Sequence, residues 1–240
     1  MTAITESPLA VPGLGYPDLS MSVVCLDQTR LGEHIETLQG LGISRLHVDL
    51  VDPAFGGGLG LPLETISDLR RNCPLPVDVH IMLSRPELLL TEAASRGAAG
   101  ICVHQRSLTP KIALLLRGIA AKGTEVGLAI DPDESISMSA LEAVRPERLT
   151  VMSVVPGGAG RPFRPEALTT VAEARRLRER GLIKRVEVDG AVGPQTADRM
   201  VAAGADQLVL GSTVFPNRSP LANHLPELLR SLAGPSHPTS

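Results

Sequence analysis

Residues 46–52 read Leu-His-Val-Asp-Leu-Val-Asp, an apolar run in which His47 and Asp49 stand two positions apart. In an extended strand, residues i and i+2 point to the same face, so these two side chains are predicted to project side by side. Their apolar neighbours then pack on the opposite face. A charged carboxylate in such a run is costly unless it is paired or bound to a metal. Taken alone, the stretch fits either a pair of metal ligands or a core histidine hydrogen-bonded to a carboxylate.

The composition limits the class of protein. The chain has 240 residues, 43% hydrophobic and 20% charged, which is enough for one large domain or two small ones. A net charge of -3 is too small to indicate a nucleic-acid surface. One Tyr, three Phe and no Trp argue against base-stacking platforms. We therefore expect no nucleic-acid partner.

The cysteines and the termini predict the compartment. Cys25, Cys73 and Cys102 are an odd number with no close pair, which favours a reducing compartment over a disulfide framework. No apolar span is long enough to cross a bilayer, and the N-terminus lacks the pattern of a signal peptide. We therefore expect a cytoplasmic globular protein with no membrane partner.

Apolar strands alternate with helical patterns along the chain. Strands are predicted at 21–26, 45–50, 76–82, 100–104, 125–130, 148–153, 184–189 and 207–211. Helices are predicted at 30–41, 63–71, 85–96, 109–122, 136–143, 165–180, 194–203 and 220–232. Residues 1–18 are predicted to be a flexible arm, 19–232 one domain and 233–240 a disordered tail.

This alternation predicts a single-domain (β/α)8 TIM barrel. Parallel strands covered by helices on one face and packed together on the other are apolar along their length, and eight units suit a chain of this size. A doubly wound open sheet is the alternative. Glycines at 56–58 follow a strand but lack the spacing of a dinucleotide-binding loop.

Polar side chains recur where predicted strands end, which is where barrels carry their chemistry. His80 ends the third strand and Asp189 the seventh. With His47 and Asp49 they place two imidazoles and two carboxylates at one mouth, suitable for Zn²⁺, Mn²⁺ or Fe²⁺. Alone, His80 fits a hydrogen-bonded core residue and Asp189 a helix cap; the four together favour a metal site. His104, which ends the fourth strand, is predicted to support that site.

Other polar residues are assigned lesser roles. The acidic stretch 131–134 is predicted to be a solvated loop, and His34 and His224 to be surface residues. Asp78 and Glu187 share the inward side of their strands with His80 and Asp189, and they are predicted to hydrogen-bond the metal ligands.

Small residues follow the last three predicted strands, where barrels recurrently bind phosphate. Such residues let backbone N–H groups approach an anion, although they also suit ordinary tight turns. A phosphate site beside a metal site predicts a phosphorylated, metal-chelating substrate. The predicted phosphate-binding residues are Gly157, Gly158, Ala159, Gly160, Gly190, Ala191, Gly211 and Ser212.

These motifs resemble those of the ribulose-phosphate 3-epimerase family over about residues 22–215. The family's strand-one serine matches Ser22, and its His-x-Asp-x-Met-Asp matches residues 47–52. Its Asp-Val-His-Leu-Met matches 78–82, and its Met-Ser-Val-Asn-Pro-Gly-Phe-Gly-Gly-Gln matches 152–161. Its Glu-Val-Asp-Gly-Gly matches 187–191.

The resemblance implies a divalent metal held by His47, Asp49, His80 and Asp189, and a sugar-phosphate substrate. Asp49 and Asp189 would face opposite sides of the substrate's C3. One removes the C3 proton, a 2,3-enediolate forms, and the other returns a proton on the opposite face. This reaction interconverts ribulose 5-phosphate and xylulose 5-phosphate.

The resemblance further implies that Ser22, Met82 and Met152 contact the substrate. Family members are often oligomeric, so a homo-oligomer is expected. The loop at 52–58 keeps only the Asp and the Phe of the family's Asp-Gly-His-Phe-Val-Pro-Asn, and we expect it to be more open. Arg161 replaces a glutamine and could add a phosphate contact.

Three alternatives to this function stay open. Residues 25–27, 159–160 and 190–191 look more like the allulose-6-phosphate 3-epimerase branch, which acts on a longer ketose phosphate. A barrel lyase or aldolase could use the same enediolate, although no lysine stands beside the predicted ligands. The altered loop also leaves room for a non-catalytic phosphate-binding protein, although such a protein has little need of two opposed carboxylates.

Overall fold

A closed barrel of eight parallel strands forms the centre of the molecule in the computed structural model, which describes residues 17–215 and residue 228. The strands follow chain order around the barrel, and the last pairs with the first. The barrel is thus confirmed over an open sheet. The strands are β1 (Asp18–Ser22), β2 (Arg45–Val51), β3 (Val77–Met82), β4 (Gly100–His104), β5 (Glu125–Ile130), β6 (Arg148–Met152), β7 (Arg185–Asp189) and β8 (Gln207–Leu210).

Helices join successive strands and cover the barrel. Local sequence explains where several begin: Thr109 caps α5 by accepting a hydrogen bond from the Ile112 N–H, and Pro110 occupies its first turn. No helix among the described residues has both the length and the apolar character needed to span a membrane. The helices are α1 (Leu31–Gly40), α2 (Pro53–Gly56), α3 (Glu64–Asn72), α4 (Leu90–Ser95), α5 (Pro110–Ala120), α6 (Met138–Val144), α7 (Ala167–Glu179) and α8 (Ala197–Ala203).

Several predicted boundaries are corrected. β1 ends at Ser22, so Cys25 lies in a 3-10 turn (Val23–Cys25) rather than on the strand. The helix predicted at 85–96 divides into a 3-10 turn (Pro86–Leu88) and α4. The loop at 52–60 contains the single turn α2.

Some predicted elements lie outside the described residues. These are residues 1–16 of the predicted arm, the predicted tail, and the last predicted helix apart from Leu228. Leu228 is helical and buried.

Strand residues alternate between two environments. The outward residues Leu46, Val48 and Leu50 are buried in the apolar core between the barrel and its helices. The inward residues of β2 are polar, as predicted for His47 and Asp49. In the strand register Asp49 is level with His80, which brings the ends of β2 and β3 to the same height.

The interior at the opposite end holds a network of charged side chains, here called the barrel floor. Arg148 is fully buried, and its Nη1 lies 2.6 Å from Asp78, 3.4 Å from Glu125 and 3.6 Å from Glu187. Arg45 Nη2 lies 2.6 Å from Asp78. The floor comprises Arg45, Asp78, Glu125, Arg148, Arg185 and Glu187.

Two glycines make room for the floor. A Cβ at Gly100 would lie 2.6 Å from a carboxylate oxygen of Asp78, and a Cβ at Gly127 would lie 3.3 Å from Arg148 Nε. A side chain at Gly100 would therefore overlap the Asp78 carboxylate, and one at Gly127 would crowd the Arg148 guanidinium.

Candidate active site

Four side chains converge at the mouth of the barrel, at the ends of β2, β3 and β7. His47, Asp49, His80 and Asp189 each offer one ligand atom, and these atoms all lie within 4.8 Å of one another. His47 Nε2 lies 3.3 Å from Asp49 Oδ1 and 3.7 Å from Asp189 Oδ2. His80 Nδ1 lies 3.7 Å and 3.3 Å from the same two oxygens. Nitrogen and oxygen therefore alternate around a four-sided cluster, here called the mouth cluster.

The mouth cluster fits a metal ion on two grounds. Ligands that share one ion at about 2 Å lie about 3–3.5 Å apart, close to the edges measured here. Both ring nitrogens of His47 and the Nδ1 of His80 are buried without a hydrogen-bond partner. A buried polar atom left unpaired costs about 1–3 kcal/mol. A divalent cation accepts such nitrogen lone pairs and balances the two carboxylates.

Electrostatics within the cluster favour positive charge. Burial alone would keep His47 neutral, but the carboxylates of Asp49, Asp189 and Glu187 outweigh it and raise the pKa of His47 to about 10. Burial likewise opposes ionisation of Asp49, yet His47, together with the hydrogen bond from Ser22, lowers the pKa of this carboxyl. The cluster thus attracts either a proton or a metal cation.

Asp49 and Asp189 open onto a cavity of about 450 Å³. Ser22 Oγ donates a 2.8 Å hydrogen bond to Asp49 Oδ2 and so fixes the carboxylate. The structure brings the other predicted substrate-contacting and phosphate-binding residues to the same cavity wall. They are Met82, Met152, Gly157, Gly158, Ala159, Gly160, Gly190, Ala191, Gly211 and Ser212.

Backbone conformation is unusual after β7. Gly190 has φ +107°, and its neighbour Ala191 has φ +46°, a region that disfavours side chains with a Cβ. Ala191 stands where the resembled family motif has its second glycine. The structure therefore holds an alanine in a glycine conformation at the cavity wall.

The loop after β2 packs against the loop after β6. A Cβ added to Gly56 would lie 2.4 Å from the Cα of Gly157, so the two backbones touch. A Cβ added to Gly58 would lie 2.2 Å from the Gly157 carbonyl oxygen. Arg161 Nη2 donates a 2.7 Å hydrogen bond to the Gly56 carbonyl oxygen. The guanidinium of Arg161 thus binds the neighbouring loop.

His104 and Asp131 extend the site behind the mouth cluster. His104 Nε2 lies 2.9 Å from His80 Nε2, and His104 Nδ1 lies 2.6 Å from Asp131 Oδ1. Burial lowers the pKa of His104 to about 4, although Asp131 opposes this effect, so the ring is neutral. Arg106 Nη1 lies 3.2 Å from the other Asp131 oxygen.

Three sequence predictions about polar residues are wrong. Asp131 is 3% exposed and bonded to His104 rather than solvated, and His34 is buried rather than at the surface. Asp78 and Glu187 pair with floor residues instead of hydrogen-bonding the ligands. The signal for Asp131 was its position directly after β5, at the same end as the other polar strand ends. His224 lies outside the described residues.

Comparison with known proteins identifies relatives. The model of the ribulose-phosphate 3 epimerase family matches residues 18–215. A ribulose-phosphate 3-epimerase of Synechocystis sp. is 33% identical over 198 residues, covering 81% of this chain and 85% of that protein. A cytoplasmic isoform of this enzyme from Oryza sativa is 31% identical, covering 84% and 89%.

A solved structure matches in fold. The 3-hexulose-6-phosphate synthase structure gives a TM-score of 0.65 at 17% sequence identity. The match covers 89% of this chain and 99% of that chain. At this identity it shows a shared barrel and nothing about the reaction.

Proposed function

Because the chain belongs to the ribulose-phosphate 3-epimerase family, we propose that it interconverts ribulose 5-phosphate and xylulose 5-phosphate by moving the proton on C3. The observation that carries this proposal is the pair of carboxylates, Asp49 and Asp189, set diagonally across the mouth cluster and opening onto one cavity. The ribulose-phosphate names of the relatives favour the pentulose over the hexulose phosphate.

The four residues of the mouth cluster are proposed to hold one divalent cation, with Zn²⁺, Mn²⁺ and Fe²⁺ as the candidates. Their imidazole and carboxylate donors suit all three ions. When bound, the cation supplies positive charge that stabilises the oxyanion developing on the substrate. The unpaired nitrogens of His47 and His80 support this assignment.

Proton transfer is assigned to the two aspartates. In one direction Asp49 removes the C3 proton and Asp189 returns one to the opposite face; in the reverse direction the two exchange roles. His47 and the Ser22 hydroxyl keep Asp49 ionised and ready to accept a proton. Ser22 keeps the same carboxylate from rotating away from the cavity.

The phosphate is assigned to the small-residue segments after β6, β7 and β8. Their backbone N–H groups can approach an anion closely because few side chains intervene. Ser212 Oγ already accepts a hydrogen bond from the Gly160 N–H, which joins two of the segments. Arg161 is the one cationic side chain among the described residues that line the cavity. Backbone donors thus carry most of the proposed phosphate contact.

Solvent-deuterium incorporation at C3, followed by NMR, tests the function. Ribulose 5-phosphate and allulose 6-phosphate are supplied separately to metal-loaded and chelator-stripped protein. We expect metal-dependent exchange in the pentulose phosphate. Faster exchange in the hexulose phosphate would transfer the assignment to that substrate, and no exchange in either would refute the epimerase function.

A variant pair tests the chemistry within the same assay. Asp189→Asn removes one proposed acid–base group and should slow exchange by about 10²–10⁴-fold. The matched control, Asp68→Asn, alters an exposed aspartate on α3 and should exchange at the wild-type rate. Equal rates in the two variants would contradict the assignment.

We also propose a homo-oligomer. Leu88 and Leu114 are 60% and 73% exposed on elements that pack against each other, which offers an apolar surface for a second copy. Light scattering coupled to size-exclusion chromatography measures the mass directly. A monomeric mass at micromolar concentration would refute this assignment.

A further inference from the structure

Three buried side chains form a line leading away from the mouth cluster. His80, His104 and Asp131 are 0%, 0% and 3% exposed. The His80 and His104 rings are within 13° of parallel, with centres 4.9 Å apart and Nε2 atoms 2.9 Å apart. These distances describe an edge-to-edge hydrogen bond between the two nitrogens rather than a face-to-face stack.

Counting protons along this line fixes the state of each ring. An ionised carboxylate only accepts hydrogen bonds, so the proton between Asp131 and His104 sits on His104 Nδ1. The bond between the two Nε2 atoms needs one bare nitrogen. Because His80 Nδ1 has no hydrogen-bond partner in the described part of the chain that could receive a His80 proton, the bare nitrogen is assigned to His104 Nε2. The proton of the next hydrogen bond must therefore sit on His80 Nε2. The Nδ1 of His80, which faces Asp49 and Asp189, is left with a free lone pair.

From this geometry we propose that His104 and Asp131 are positioning residues, which hold His80 in the tautomer whose Nδ1 can bind the divalent cation. The proposal rests on the metal site of the proposed function. His47 provides the contrast, because neither of its ring nitrogens has a hydrogen-bond partner among the described residues. A hydrogen bond to a second histidine therefore orients the His80 ring, whereas no hydrogen bond within the described part of the chain orients the His47 ring.

Neighbouring groups hold the line in place. Arg106 Nη1 lies 3.2 Å from Asp131 Oδ2 and forms an ion pair with it. The Phe55 ring lies 4.8 Å from the His104 ring, and the Arg106 guanidinium lies 4.1 Å from the centre of Phe55. Phe55 belongs to α2, so the loop after β2 also covers His104.

Two substitutions at position 104 separate hydrogen bonding from packing. His104→Phe keeps an aromatic ring in the site but removes the acceptor for His80 Nε2–H. His104→Gln places an amide oxygen near the former Nε2 and retains an acceptor. The affinity for Mn²⁺ is measured by titration calorimetry, with thermal unfolding of each metal-free variant as the folding check.

We expect His104→Phe to weaken Mn²⁺ binding by about 10–100-fold, as for lost partners of metal-binding histidines. His104→Gln should stay within about threefold of wild type, because its acceptor replaces the one lost. Unchanged affinity in His104→Phe would overturn the proposal. An equal loss in both variants would also overturn it, since it would assign the effect to packing.

Nitrogen-15 NMR of labelled histidines in the metal-free protein gives a second readout. Long-range proton–nitrogen correlations should show the proton of His80 on Nε2 in the wild type, and His80→Gln identifies its signals. Finding that proton on Nδ1 would overturn the proposal. This measurement needs neither metal nor substrate, so failure of C3 exchange with a correct tautomer would refute the epimerase function and leave the tautomer assignment standing.

Discussion

The barrel interior contains two clusters of charged side chains, one at the mouth and one at the floor. The floor pairs three arginines with three carboxylates, and Arg148 lies within 3.6 Å of each of those carboxylates. The mouth sets two carboxylates against two histidines that carry no fixed charge. The floor is therefore neutral by itself, whereas the two carboxylates of the mouth are balanced only when a proton binds at His47 or a metal cation binds to the cluster.

This difference separates a structural cluster from a functional one. Burial opposes ionisation of Asp78, but Arg148 and Arg45 hold the pKa of this carboxyl well below its usual range. Asp49 has no arginine beside it among the described residues, and His47 and the Ser22 hydroxyl lower the pKa of its carboxyl instead. A buried carboxylate that is paired with arginine contributes to structure, while carboxylates with no fixed cation beside them are suited to bind a cation or to exchange a proton.

The largest effect is expected from neutralising one aspartate in each cluster. Asp49→Asn should slow C3 deuterium exchange by about 10²–10⁴-fold, because it removes a proposed acid–base group. The free energy of unfolding of Asp49→Asn should change little, because the substitution also removes the repulsion between the Asp49 and Asp189 carboxylates. Asp78→Asn should instead destabilise the protein while the folded fraction keeps its exchange rate. Similar rate losses in the two variants would erase the distinction between the clusters.

The next effect concerns the stability of the floor. Arg148→Met removes the shared guanidinium and leaves buried carboxylates unpaired, which should cost about 3–5 kcal/mol in urea unfolding. Arg30→Met, which breaks an exposed pair with Glu33, serves as the control and should cost less than about 1 kcal/mol. A loss at Arg148 as small as the control's would mean that the floor is not held by its charges.

A smaller effect is expected on the pH dependence of metal binding at the mouth. His47 has a raised pKa of about 10, so at pH 8 the free protein carries a proton that a metal must displace. Binding at pH 8 should release about one proton, and affinity should rise with pH until about pH 10. Calorimetry in buffers of different ionisation enthalpy counts the protons released. Proton-free binding would show that His47 is neutral before the metal arrives.

The smallest effect tests backbone strain at the mouth. Ala191→Gly removes a Cβ from a left-handed conformation that costs about 1–2 kcal/mol. Greater freedom of glycine in the unfolded chain offsets about 0.4–1 kcal/mol of this gain, so a net stabilisation of about 0.5 kcal/mol is expected. Arg145→Gly, at the other described non-glycine residue with positive φ, is the matched control for thermal unfolding. Destabilisation of Ala191→Gly alone would mean that its methyl group packs favourably.

The sequence predicted the barrel and the mouth cluster because both follow from local patterns. Alternation within 46–52 and the polar ends of apolar strands are visible over a few residues. The roles of Asp131, Asp78 and Glu187 were not predicted, because their partners lie 27, 70 and 20 or more positions away. An acidic residue looks the same in sequence whether its partner is water, a histidine or a buried arginine.

Loop geometry escaped prediction for a related reason. The spacing of the glycines at 56–58 excluded a dinucleotide-binding loop and indicated nothing more, whereas in the structure they let the backbone contact a segment about 100 residues later. The helix predicted at 85–96 does not begin at its first residue, and the N–H and Oγ of Ser84, directly before it, donate to Asp52. Contacts between loops depend on the closed barrel, which local pattern does not describe.

The space occupied by Asp78 and Arg148 limits which residues are tolerated at positions 100 and 127, which are distant in sequence. Gly100 and Gly127 leave the volume that the Asp78–Arg148 pair occupies. A side chain gained at Gly100 would displace the Asp78 carboxylate. One gained at Gly127 would press on the Arg148 guanidinium, and loss of the arginine would leave a cavity. Substitutions at position 100 should therefore appear with changes at 78, and substitutions at 127 with changes at 148, among homologues.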